Sequence, residues 1–138
     1  MSRIYKTESA GKDRTRLTRA VVLAVRELAK RPAPDDTARD MAAFIALALS
    51  EISNTIDASV VAWEKRGYWV KADRFRMEWN WTVKYGNALR QALLSNDWTT
   101  IALLSTQVAQ KLNKITISPG NRIGMPWVGA WQVLKKGM

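Results

Sequence analysis

The sequence predicts an all-α fold, an up-and-down four-helix bundle followed by an irregular C-terminal tail. Two observations carry this. Apolar side chains recur every three to four residues through four long segments, and only short stretches holding Pro, Gly, Asn or Asp divide those segments. Short links between long helices favour antiparallel neighbours.

The first helix is expected over about 12–31, where Leu17, Val21, Ala24 and Leu28 share a stripe and Pro32 and Pro34 stop the pattern. A second follows from Asp35 and Asp36, which can cap it and complement its dipole, and carries Met41, Ile45, Leu49, Ile52, Ile56, Val60 and Trp63. It runs to about Arg66, with Gly67 free to turn the chain away. Every side chain from Met41 to Leu49 is apolar, so this helix should be surrounded on several sides and be the central element. The third places Ala72, Phe75, Trp79, Val83, Gly86, Leu89 and Leu93 on one stripe and ends near Ser95 and Asn96. In the fourth, Trp98, Ile101, Ser105, Val108 and Leu112 follow a cap at Asp97. The whole reads as one domain over 1–138, with a basic arm at 1–11, a bundle at 12–114, and a Gly- and Pro-containing tail at 115–138 packed on it. Trp127, Trp131 and Leu134 can form a short amphipathic turn in that tail.

Composition narrows the function. The 138 residues include no His and no Cys, which removes imidazole bases, thiolate nucleophiles and the usual zinc, haem and iron–sulfur ligands. The carboxylates show no E-x-x-E or E-x-x-D pair for magnesium, and Asp35, Asp36 and Asp40 read as charge complements at a helix N-terminus. Ala10-Gly11-Lys12 lacks the first glycine of a phosphate loop and the strand before it. A non-enzymatic protein without cofactor or metal is expected. Charges punctuate the first 16 residues, which argues against a signal peptide. The longest apolar run, Met41 to Leu49, is about half a bilayer-spanning helix. The expected location is cytoplasmic, with no membrane partner.

The net charge of +10 favours a polyanionic partner. It is concentrated: residues 1–31 hold nine basic and three acidic side chains, whereas 35–64 hold one basic and six acidic. At about 100° per residue, Lys12, Arg16, Arg19, Arg26 and Lys30 fall in one sector opposite the apolar stripe of the first helix. Such a stripe extends about 27 Å, enough to follow several phosphates. Pairing with Asp36, Asp40, Glu51 or Asp57 of the acidic second helix would quench it.

The segment from Trp63 to Trp81 interleaves four tryptophans with Lys65, Arg66, Lys71, Arg74 and Arg76. Cations position phosphates and flat rings stack on unpaired bases. Trp63, Phe75 and Trp79 are assigned to the core, whereas Trp81, Met77 and Tyr85 lie on a second apolar face, flanked by Arg74 and Lys84. The primary expectation is binding of nucleic acid, DNA or RNA, through backbone contacts from Lys12, Arg16, Arg19, Arg26, Lys30, Arg74 and Lys84, with Trp81 as a stacking platform, in a small accessory subunit or oligomer. The alternative is an adaptor bundle without a nucleic-acid role, meeting a second copy or another protein through Met77, Trp81, Tyr85, Trp127 and Trp131.

Overall fold

The computed structural model describes residues 7–137, and all regular structure among them is helical. Six helices follow in order: α1 (Thr7–Ala29), α2 (Asp36–Lys65), α3 (Trp69–Trp79), α4 (Trp81–Leu94), α5 (Trp98–Lys111) and α6 (Ala130–Lys136). The all-α class therefore holds. The centre is α2, against which α1, α3, α4 and α6 all pack, while α5 closes against α4 and α1. Within its apolar stretch Met41, Ala42, Ala43, Ile45, Ala46, Ala48 and Leu49 are buried, and Phe44 and Leu47 half-buried. This helix is also the one among the described residues long and apolar enough to cross a bilayer, and its apolar side chains form the core of the fold.

Local chemistry sets the ends of these helices. The Asp35 carboxylate accepts the Ala38 amide at 2.8 Å, which satisfies one of the free donors at the start of α2. That bond, then the bond from Arg31, holds the Asp35 carboxyl below the usual range. At the other end Gly67 takes φ +80°, its amide bonds Glu64, and the Tyr68 amide reaches back to the Trp63 carbonyl at 2.9 Å. This paired closure favours glycine at the left-handed position. Asn96 repeats it after α4 with φ 56°, and Asp97 then caps α5. The Thr100 hydroxyl at 2.6 Å and then the Thr100 amide at 3.1 Å hold the Asp97 carboxyl low.

Three expectations change. The third helix, expected unbroken to about Asn96, is divided at Asn80. The Thr82 hydroxyl donates to the Trp79 carbonyl at 2.8 Å, a local bond that bends a helix, and the bend lets α3 and α4 both lie on α2. After the break the inward positions are Thr82, Gly86, Leu89 and Leu93, and Val83 is exposed. Gly86 marks the closest approach, where a Cβ would lie 3.4 Å from that of Leu49. Of the expected 1–11 arm, residues 7–11 are already helical in α1, and residues 1–6 lie outside the described residues. Asp40, finally, does not serve the start of α2: its carboxylate accepts the Gly129 amide at 3.2 Å and the Trp131 amide at 2.9 Å, fastening α6.

Candidate nucleic-acid interface

The first turns of α1 and the C-terminal tail enclose an open groove of about 760 Å³. One wall is Lys12, Thr15, Arg16 and Arg19, and the other is Arg122, Ile123 and Pro126. Leu17, Ala20 and Phe44 form its apolar floor. Among the described residues four cations and no carboxylate line it. The tail wall is positioned from within: Trp127 is 5% exposed and sits in the core, and the next turn hangs from Asp40.

The cations of α1 project as the helical geometry requires. Lys12, Arg16, Arg26 and Lys30 are exposed and Arg19 is half-buried. Among the described residues Arg16 has a single ion pair, at 3.4 Å to Asp13 of its own helix, and Lys30 one at 3.5 Å to Glu27. Lys12, Arg19 and Arg26 make none within the described residues. Two of the four acids of α2 that could have quenched this stripe are engaged elsewhere: Asp36 meets Arg39 at 3.8 Å and Asp40 holds α6. The structure brings Lys12, Arg16 and Arg19 together in the groove. Arg26 lines a smaller depression beside Ala109 and Asn113, farther along the same helix, and Lys30 lies just past its end.

Arg14 behaves differently from its neighbours. It turns inward, where its Nη1 donates to the Thr55 carbonyl at 3.3 Å, Thr55 Oγ1 at 3.4 Å and Ser59 Oγ at 3.4 Å. Its guanidinium also stands 4.7 Å over the Phe75 ring. Burial pushes its pKa below the ordinary arginine value, and the charge of Glu78 opposes that.

The aromatic segment is spent mainly on packing. Trp63, Phe75, Trp79, Trp81 and Tyr85 form a continuous series of ring contacts with centroids 4.8, 6.3, 6.2 and 6.0 Å apart. The series joins α2, α3 and α4, and Lys71 covers its Trp63 end at 4.5 Å. Trp81 and Tyr85 are therefore half-buried within a ladder, not presented as free platforms. Trp131 lies between Arg39 and Lys135, each 5.5 Å from its ring, and Trp127 is enclosed. Of the five interface candidates, Met77 alone is largely free, at 73% exposure. Arg74 and Lys84 are exposed on α3 and α4 and do not line the groove.

Two features escaped the sequence reading. Arg122 joins the groove from a tail whose path no periodicity reveals. Among the described residues the rings that do remain outside are Tyr68 and Trp69, the latter 59% exposed, at the corner after Gly67. Their place next to a helix-ending glycine was the available signal. No group of three metal-ligating side chains occurs among the described residues. No known family model, curated protein or solved structure matches the chain.

Proposed function

We propose that this chain binds nucleic acid through backbone phosphates seated between α1 and the C-terminal tail, in a non-enzymatic role as a small accessory subunit or oligomer. The observation that carries the reading is the groove lined by Lys12, Arg16, Arg19 and Arg122, with no carboxylate among its described lining residues. Basic side chains set close together on one wall repel one another in the free protein, and a polyanion reverses that cost. Arg26 and Lys30 continue the track along α1. The contacts proposed are with the phosphate backbone, so the binding is read as sequence-tolerant. The frame that holds the groove is read as a four-helix bundle in which α3 and α4 together supply the third member.

With four phosphate contacts, affinity for a duplex should fall about a hundredfold between 50 and 200 mM salt. Fluorescence anisotropy of a labelled 20-mer against salt measures this. The double reversal Arg16→Glu/Arg19→Glu should abolish the binding and leave the melting temperature unchanged. Salt-insensitive binding, or binding that survives the reversal, overturns the proposal. The adaptor reading retains one specific support, the exposed corner of Tyr68, Trp69 and Val70. Association through that corner would respond weakly to salt and be lost in Trp69→Ala.

A further inference from the structure

The groove between α1 and the tail offers more than cations. Leu17 and Ala20 close its bottom at 7% and 5% exposure, but Phe44 and Ile123 are half-buried and Pro126 is exposed, so apolar surface remains open between the basic walls. Phosphates give such surface nothing to bury. The tail wall is set by a local turn: Asn121 Nδ2 donates to the Ser118 carbonyl at 3.0 Å, and Asn121 Oδ1 accepts the Ile123 amide at 3.0 Å. Arg122 and Ile123 thus reach the groove side by side, a cation next to an apolar side chain. The α1 wall repeats that pairing in Arg16 with Leu17 and Arg19 with Ala20.

We infer that the groove takes single-stranded nucleic acid, with phosphates on Lys12, Arg16, Arg19 and Arg122 and an unpaired base laid on Phe44, Ile123 and Pro126. This rests on the phosphate-binding reading of the same groove and adds the form of the strand. Two observations select it. The first is the pairing of cations with accessible apolar surface. An unpaired strand presents both matching chemistries at once, charged phosphates and the flat faces of its bases. A duplex stacks those faces against one another, so it can lay one backbone across the walls while the floor stays unfilled. The second is size: about 760 Å³ is the volume of a site that encloses one small ligand, which suits a base with its neighbouring phosphates.

Three labelled probes of equal length test this by anisotropy: oligothymidylate, a single strand of abasic sites with the same charge, and a duplex. Oligothymidylate should bind about tenfold more tightly than either of the others at physiological salt. Ile123→Asn, which makes the floor polar, should cut its advantage over the abasic strand about threefold or more. Trp69→Ala, at the exposed corner after Gly67, should leave that advantage unchanged. If the abasic strand or the duplex binds as tightly as oligothymidylate, no base lies on the floor; the inference then falls and the phosphate reading stands. If the advantage is lost in Trp69→Ala, the bases stack at the corner and the inference falls as well. If none of the three probes binds, the phosphate reading itself fails and takes the inference with it. The parent chain and Trp69→Ala decide the matter even if Ile123→Asn fails to fold.

Discussion

The outer face of α1 and the stretch from Trp63 to Tyr85 are both rich in cations, yet the fold uses them in opposite ways. On α1 the basic groups stand out from the surface, and their few ion pairs are with acids of the same helix. In the aromatic stretch the rings contact one another, Lys71 covers the end of the series, and Arg76 is tied to Glu64 at 3.1 Å and Asp73 at 3.0 Å. Composition alone makes both stretches candidates for a nucleic-acid surface. Projection of side chains separates them. A ring at helical spacing usually finds another ring, whereas a cation opposite an apolar stripe has nowhere to go but outward.

The sharpest way to break this contrast is to remove a ring from the ladder. Trp79→Ala should cost about 3 kcal/mol of stability, read from chemical denaturation, because Trp79 contacts both Phe75 and Trp81. Affinity of the folded fraction for a labelled oligonucleotide should not change. A loss of affinity with stability intact would return the aromatic stretch to the binding surface.

A paired substitution within α1 sharpens it further. Arg14→Met should destabilise by about 1–2 kcal/mol, since Thr55 and Ser59 lose their guanidinium partner, and should leave oligonucleotide binding alone. Arg19→Met should leave stability alone, weaken binding several-fold, and lower the slope of affinity against salt by about one. Two arginines five positions apart would thus separate folding from binding. Equal behaviour of the two variants would show that the helix faces are not distinct.

The smallest effect concerns acid. The carboxyls of Asp35 and Asp97 titrate below their unfolded value, so the stability they add is complete above about pH 4 and is lost as pH falls through the folded pKa. Melting temperature should therefore decline below about pH 4. In Asp35→Asn/Asp97→Asn that decline should be shallower, which differential scanning calorimetry between pH 2 and pH 6 measures.

What the sequence revealed divides by range. The caps at Asp35 and Asp97 and the stop at Gly67 depend on neighbours within a few residues, so residue type and position sufficed. The outward stripe of α1 was legible for the same reason, as a property of one helix. The break at Asn80 was hidden because Trp79, Thr82 and Gly86 continue a helical spacing across it, and only the competition of the Thr82 hydroxyl for a carbonyl shows the bend. Asp40 and Arg122 were misread or missed because their partners come from the far end of the chain. Arg14 sits between Lys12 and Arg16 in sequence and points elsewhere, since its sector of the helix faces α2.

The attachment of the tail has a mechanical consequence. The stretch between α5 and α6 contains no helix, yet it carries Arg122, and beyond Arg122 its anchors are one enclosed indole and one carboxylate that holds two amides. The width of the groove is thus governed by a tether to the central helix, not by the stiffness of its own backbone. Whatever loosens that tether would let the two banks drift apart, and the grip on a phosphate chain would slacken before the remaining helices came undone.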